Sequence, residues 1–167
     1  MIMEQLIVRR LLCELKGASK IALGPGIPTR VIPYLNSSQS WIDLSQTGLR
    51  EQKADVVLVE ALEVSETGDL AGPAGLQTLP VDAAIWIATG ILRFQADGLQ
   101  LVKQCTLPTE IEGKVDLIVT EMGVVRVSEI GFELIEISPG VCSDDIRMQV
   151  RASLHVADDV KRIQLCA

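Results

Sequence analysis

One short run of residues limits the folds open to this chain more than any other feature. Residues 55–59 read Asp-Val-Val-Leu-Val, and successive side chains of a strand point to opposite faces of its sheet. Both faces must therefore be covered, as in a central strand of a parallel or mixed sheet that has helices on its two sides. Residues 83–88 form a second run of this kind.

The composition agrees with such a sheet. The chain has 167 residues, of which 48 % are hydrophobic and only 3 % aromatic, so we expect a core of Val, Ile, Leu and Ala. This length suits one domain that spans residues 1–167. Strand patterns alternate with helix patterns in the first half and crowd together in the second. We therefore predict an α/β fold with a mixed, mainly parallel sheet and flanking helices.

Charge and cysteine spacing argue against several classes of function. The net charge is −7 and there is no basic run, which argues against a nucleic-acid partner. No apolar run is long enough for a membrane span, and residues 1–16 have the pattern of an amphipathic helix. The cysteines lack metal-ligand spacing, so we expect no metal site and reduced thiols in a cytoplasmic protein: Cys13, Cys105, Cys142 and Cys166.

A glycine-rich stretch is the first candidate for ligand binding. The β-prone residues 20–23 lead directly into Gly24-Pro25-Gly26-Ile27-Pro28-Thr29. A strand that enters such a turn and then a helix presents backbone N–H groups to an anionic or carbonyl ligand. Pro28 suits the first position of that helix. Gly24, Gly26, Ile27 and Pro28 are therefore candidate binding residues, and the alternative is that the glycines only turn a strand into a helix.

Two further helices and a hairpin follow from local patterns. Apolar residues at helical spacing predict a helix over residues 3–15. A second helix is predicted over residues 143–154, with Ser143 as its N-cap. Residues 65–69, Ser-Glu-Thr-Gly-Asp, have the composition of a hairpin turn.

Five stretches, taken together and in this order, resemble one protein family. They are Leu-Gly-Pro-Gly-Ile-Pro-Thr at 23–29, Ala-Leu-Glu-Val-Ser-Glu-Thr-Gly-Asp-Leu-Ala at 61–71, Cys-Thr-Leu-Pro at 105–108, Val-Asp-Leu-Ile-Val-Thr-Glu-Met-Gly-Val at 115–124 and Ser-Pro-Gly-Val at 138–141. The family is the B subunit of class I CoA-transferases of the 3-oxoacid type. The resemblance implies a CoA-transferase-like α/β fold, an A-type partner subunit or half, and a pocket between the halves. It implies no covalently bound cofactor, with coenzyme A as substrate or ligand.

The chain departs from this family at the position of the nucleophile. Family members carry a Ser-Glu-Asn-Gly turn whose glutamate attacks the acyl-CoA and forms an enzyme-bound thioester. The matching turn here is Ser45-Gln46-Thr47-Gly48, and a neutral amide cannot form that thioester. The segment that follows is also much shorter than in the family. Gln46 is therefore predicted to keep the shape of the turn and to be catalytically inactive.

Glu60 is the one residue that the sequence offers as a substitute nucleophile. It ends the run at 55–59 and stands where the family usually has glycine. One hypothesis is that its carboxylate replaces the missing one from a different strand. The favoured alternative is that Glu60, Glu63 and Glu66 form a solvated acidic rim with no catalytic role.

Three functional hypotheses remain open from the sequence. In the first, the chain is a B-type subunit without glutamyl-CoA chemistry that partners an A-type subunit or binds an acyl-CoA-like ligand. In the second, it is an active acyl-CoA:carboxylate CoA-transferase, completed by its A partner or by Glu60. In the third, the domain self-associates and covers the face that an A subunit would bury. All three predict an oligomer, either homomeric or heteromeric.

Overall fold

The fold consists of two sheets with short helices between and beside their strands. The structure is a computed structural model that describes residues 2–46, 51–72, 81–95 and 97–167. In chain order its elements are α1 (Ile2–Glu14), β1 (Lys20–Leu23), a 3₁₀ helix (Ile27–Tyr34), β2 (Ser40–Asp43), β3 (Gln52–Glu60), β4 (Glu63–Ser65), β5 (Leu70–Ala71), β6 (Val81–Thr89), β7 (Gln100–Val102), β8 (Leu117–Val119), β9 (Gly123–Ser128), β10 (Gly131–Ile137), α2 (Ser143–Gln149) and β11 (Leu154–Arg162). In this part of the chain, no helix has the length and apolar character needed to cross a membrane.

The larger sheet confirms the predicted mixed, mainly parallel topology. Its described strands lie in the order β11-β10-β9-β8-β6-β3-β1-β2. All neighbours are parallel except for β9, which is antiparallel to both β8 and β10. The parallel half of the sheet, from β8 to β2, contains the strands that precede the candidate site.

The run at 55–59 lies at the centre of this sheet and is covered on both faces, as predicted. Val57 and Val59 belong to the hydrophobic cluster on one face, while Val56 and Leu58 belong to the cluster on the other. All four side chains are buried. The strand itself begins earlier than the run, at Gln52.

Helix α1 covers the second of these faces. Its residues Ile7 and Leu11 are fully buried in the same cluster as Val56 and Leu58. This confirms the amphipathic helix predicted for residues 3–15. The 3₁₀ helix adds the buried Val31 to that cluster.

A smaller sheet, β5-β4-β7, contains the predicted hairpin. The N–H of Ser65 donates to the carbonyl of Asp69 at 2.9 Å. Gly68 has φ +84, a left-handed backbone conformation in which other residues are strained. The turn chemistry that the sequence indicated at 65–69 is therefore confirmed.

The predicted helix at 143–154 is too long. Helix α2 ends at Gln149 because Val150 is extended and the N–H of Arg151 donates to the carbonyl of Leu101 at 2.8 Å. The N-cap is Cys142 rather than Ser143, and the Asp145 carboxylate accepts the Cys142 N–H at 2.9 Å.

The chain after α2 forms a strand that the sequence analysis did not predict. Residues Leu154–Arg162 make β11, which pairs in parallel with β10 at the edge of the large sheet. The register shifts between Leu134 and Glu136 of β10. This irregularity breaks the alternation of side chains that a strand pattern requires, so the pairing is hard to see in the sequence.

The expectation of four reduced thiols is wrong for two of the cysteines. Cys13 and Cys166 form a disulfide, with Cα atoms 5.3 Å apart and a sequence separation of 153. The N–H of Cys166 also donates to the carbonyl of Arg9 at 2.9 Å, so the C-terminal tail lies along α1. Cys105 and Cys142 are free.

Candidate functional site

The predicted site residues lie at the carboxyl ends of neighbouring parallel strands. Strand β1 lies between β2 and β3 and is parallel to both. The glycine loop follows β1, the Gln46 turn follows β2, and Glu60 ends β3. From β1 the chain passes to β2 on one side, and it then crosses to β3 on the other side of β1. The direction of the connections therefore reverses at β1, and open α/β sheets bind ligands at such a switch point.

The backbone of the glycine loop forms hydrogen bonds within the chain. The N–H of Gly24 continues the ladder and donates to the carbonyl of Leu58 at 2.9 Å. The carbonyl of Gly26 accepts from the N–H of Thr29 at 3.1 Å and from its hydroxyl at 2.7 Å, which closes the first turn of the 3₁₀ helix. Ile27 and Pro28 are both buried. Whether the loop binds a ligand stays a prediction.

Glu60 points into this loop. Its Oε2 accepts the N–H of Ile27 at 2.9 Å, although the two residues are 33 positions apart. Gly26, between the strand and the helix, has φ +89. A Cβ at Gly26 would overlap the Glu60 carboxylate. The sequence analysis singled out both segments but gave no indication that they contact each other.

Gln46 lies in an exposed turn immediately after β2. Its N–H lies 3.4 Å from the carbonyl of Asp43, and the side chain is exposed. The Asp43 carboxylate accepts the Ser45 hydroxyl at 2.6 Å and the Ser45 N–H at 2.9 Å, and these bonds hold the pKa of Asp43 below its usual value. Thr47 and Gly48, which complete the altered turn, lie outside the described residues, as do residues 73–75 of the segment after β5.

Two strand spacings separate the Gln46 turn from Glu60. Neighbouring strands lie about 4.8 Å apart, so the ends of β2 and β3 are roughly 10 Å apart with β1 between them. Glu60 is therefore close to the position of the altered turn but is engaged with the loop that separates the two. Its role as a substitute nucleophile stays a prediction.

Glu63 does not belong to a solvated rim, which corrects one part of that expectation. Its side chain is only 3 % exposed. The carboxylate accepts the N–H of Thr106 at 2.9 Å, the Thr106 hydroxyl at 2.7 Å and the N–H of Leu107 at 2.8 Å. These bonds offset the cost of burying a charge and fix the 105–108 stretch against the small sheet. Glu66 remains partly exposed.

A further carboxylate at the same sheet edge has a structural role. Glu121 follows β8, and its two oxygens accept the N–H of Leu92 at 2.8 Å and the guanidinium of Arg93 at 2.7 Å. The contacts join the segment after β6 to the segment after β8. Asp43, Glu60 and Glu121 thus each bind donors of their own chain.

Two adjoining cavities lie beside the small sheet, away from the predicted residues. Their volumes are about 560 and 620 Å³, and they share Glu63, Thr106 and Arg151 in their walls. The larger is also lined by the exposed Leu62 and Leu107. Neither is lined by Gln46, Glu60 or the glycine loop.

The chain is similar in sequence to the beta subunits of CoA-transferases. It is 29 % identical over 143 residues to a probable coenzyme A transferase subunit beta from Bacillus subtilis, in a match that covers 78 % of this chain and 64 % of that protein. It is 24 % identical to the acetate CoA-transferase subunit beta of Haemophilus influenzae, with 97 % of this chain and 96 % of that protein covered. This second match runs over 213 positions, so the relative carries segments that the 167-residue chain lacks.

Solved structures with the same fold include CoA-transferases and a decarboxylase. The acyl-CoA transferase YdiF of Escherichia coli O157:H7 matches with a TM-score of 0.77 at 16 % identity, covering 97 % of this chain and 43 % of that one. A variant of the decarboxylase AibA/AibB matches with a TM-score of 0.72 at 13 % identity, covering 98 % of this chain and 90 % of that one. No protein-family model matches the chain. The chain thus resembles CoA-transferase B subunits in sequence and has the class I CoA-transferase fold.

Proposed function

We propose that this chain is a B-type subunit of a CoA-transferase-like complex that does not form the glutamyl-CoA intermediate. The observation that carries the proposal is the amide of Gln46 in the turn after β2, beside the glycine loop. A carboxylate can attack a thioester and hold the acyl or CoA group covalently. An amide in the same turn keeps the hydrogen-bonding shape but has no nucleophilic oxygen of comparable strength.

A second chain is part of this proposal. Gln46, Glu60 and the glycine loop lie at one edge of the sheet and line neither of the two large cavities. The relatives are named as subunits beta, which favours an A-type partner. The complex would act in the cytoplasm, either as a structural or regulatory assembly or as a binder of an acyl-CoA-like ligand.

One observation supports a second candidate, an active acyl-CoA:carboxylate CoA-transferase. Glu60 places a carboxylate at the switch point, and only its Oε2 accepts the Ile27 N–H. The other oxygen would be the attacking atom. In this version the A-type partner supplies the remaining groups, and coenzyme A is a substrate rather than a resident cofactor.

Co-expression with the A-type subunit of the same organism separates these candidates. Light scattering is expected to show a complex that contains both subunits. A homo-oligomer of this chain without the A subunit would contradict the proposed partnership. The complex is then assayed for exchange of CoA between acetyl-CoA and a carboxylate. We expect no exchange. Exchange that Glu60→Gln abolishes, and that the matched exposed-site control Glu129→Gln leaves unchanged, would establish the second candidate instead.

A further inference from the structure

The Cys13–Cys166 disulfide lies near the surface, within reach of a dissolved thiol. Cys13 is in α1 and Cys166 follows the end of β11, and both residues are partly exposed. Thiol–disulfide exchange begins when a thiolate attacks one sulfur atom of the bond, so its rate depends on access to that atom. Exchange at this bond therefore does not require the sheet to unfold.

The fold keeps other attachments on both sides of this disulfide. The N–H of Ile163 donates to the carbonyl of Ile137 at 3.0 Å, and the Ile163 side chain is buried in the cluster that α1 covers. The Arg10 guanidinium separately joins α1 to the Glu136 carboxylate of β10. Opening of the disulfide therefore loosens residues 164–167 and leaves α1 and β11 packed.

Two hydrogen bonds keep the two cysteines close together without the disulfide. The N–H of Cys166 donates to the carbonyl of Arg9 at 2.9 Å, and Arg9 Nε donates to the carbonyl of Cys166 at 3.3 Å. Arg9 precedes Cys13 by about one helical turn, so these bonds hold Cys166 beside Cys13. Two groups held in this way react at a far higher effective concentration than free groups in solution. The disulfide can therefore re-form after it has been reduced.

We propose that Cys13 and Cys166 form a reversible redox switch that opens and closes within the folded chain. In opening, the thiolate of glutathione attacks one sulfur of the disulfide, forms a mixed disulfide and displaces the other sulfur as a thiolate. A second glutathione thiolate then attacks the mixed disulfide. The chain gains two thiols, and the two glutathione molecules leave joined as their disulfide. Closing reverses these steps and returns two molecules of reduced glutathione.

The inference goes beyond the proposed function, and only its regulatory meaning rests on that function. In the cytoplasm proposed above, disulfides are usually transient and redox-sensing rather than permanent. The state of the glutathione pool would then decide whether residues 164–167 are fixed to α1 by a covalent bond or by hydrogen bonds alone.

The first test measures how fast glutathione reduces the disulfide while urea is raised within the range in which the chain stays folded. The full chain with Cys142→Ser is used as the parent, because this change removes an exposed free thiol outside the pair. Samples are quenched in acid and alkylated in denaturant, and the intact mass counts the free thiols. We expect the rate to change by less than about twofold. A rate that rises in parallel with the unfolding equilibrium would overturn the proposal.

The second test follows closure of the reduced parent in glutathione disulfide without denaturant. Peptide mapping is expected to show the Cys13–Cys166 bond. Adding Arg9→Ala removes one of the two hydrogen bonds and should slow closure roughly fivefold. Adding Arg147→Ala, which removes an exposed arginine of α2, is the matched control and should leave the rate unchanged.

Two results of the second test would also overturn the proposal. One is a chain that stays reduced or carries glutathione at these cysteines instead of closing, and the other is equal closure rates for Arg9→Ala and the parent. Neither assay contains coenzyme A or a partner chain, so failure of the proposed function is seen separately.

Discussion

Loss of the Cys13–Cys166 disulfide should lower the stability of the chain by a large and calculable amount. The bond links residues that are 153 positions apart. In the chain-entropy model, a loop of this length contributes about 5 kcal/mol at 25 °C. For a domain of this size, each kcal/mol corresponds to about 2–4 °C, so the upper limit of the loss is roughly 10–20 °C in Tm.

Non-covalent contacts of the C-terminal tail make the expected loss of stability smaller than this upper limit, because they remain when the disulfide is reduced. Besides the Cys166 N–H bond to the Arg9 carbonyl, the Arg9 side chain donates back to the Cys166 carbonyl at 3.3 Å. Ile163, three residues before Cys166, is buried against the second cluster. We therefore expect a loss of about half the upper limit, roughly 5–10 °C.

The assay compares thermal unfolding of wild type and Cys13→Ser, each with and without a reductant. Intact mass under non-reducing conditions first establishes that the bond is present in wild type. Reductant should lower the wild-type Tm to that of Cys13→Ser and leave the variant unchanged. Cys142→Ser, which removes an exposed free thiol, is the matched control and should behave as wild type. An oxidised wild type whose Tm does not respond to reductant would refute the reasoning.

Three further predictions concern groups whose environment the structure fixes. Arg10→Met should cost about 3–5 kcal/mol in urea unfolding, since it leaves the Glu136 carboxylate without its paired donors at 2.8 and 2.9 Å in a poorly exposed site. Glu63→Ala should cost about 2–4 kcal/mol in the same assay, because buried donors lose their acceptor. At pH 7.5 iodoacetamide should modify Cys142 before Cys105, as followed by mass, because burial and nearby carboxylates raise the pKa of the Cys105 thiol.

Controls for these predictions come from the same chain. Arg147→Met breaks an exposed pair with Asp144 and should cost less than about 1 kcal/mol; an equal loss for Arg10→Met would contradict the first prediction. Glu66→Ala removes a partly exposed carboxylate and is the control for Glu63→Ala. A similar loss of unfolding free energy in these two variants would contradict the second prediction. For the third, raising the pH should speed modification of Cys105, since burial and nearby carboxylates raise the pKa of its thiol. Equal rates for both cysteines at pH 7.5 would contradict it.

The central strand and its neighbours were predictable because their patterns are local. Four adjacent aliphatic residues at 56–59 require cover on both faces, and the structure supplies it from two clusters. The hairpin at 65–69 was predictable for the same reason, since Gly68 and its polar neighbours determine the turn within five residues.

Contacts between distant segments were not predictable from one sequence. The Glu60 bond to Ile27 spans 33 positions, the Glu63 bonds to Thr106 and Leu107 span 43 and 44, and the disulfide spans 153. No local periodicity encodes such pairs. This is why Glu63 resembled a solvated acid and why the thiols of Cys13 and Cys166 were expected to be reduced.

The end of helix α2 was predicted too late because local signals indicated a longer helix. Ser143, Asp144 and Asp145 indicate a helix start, and the apolar spacing that follows suggested that the helix continued to residue 154. Pairing of Arg151 with Leu101, which ends the helical segment, comes from the small sheet. Tertiary pairing therefore determined a boundary that helix propensity placed elsewhere.

The central claim is that no carboxylate of this chain carries an acyl or CoA group. The direct measurement incubates the complex with acetyl-CoA, with and without borohydride, followed by intact-mass measurement and peptide mapping. The beta subunit of Haemophilus influenzae acetate CoA-transferase, with its own partner, serves as the comparison. The account predicts an unmodified chain with Gln46 and Glu60 intact. A coenzyme A adduct or a borohydride-reduced carboxylate mapped to any residue of this chain would contradict it.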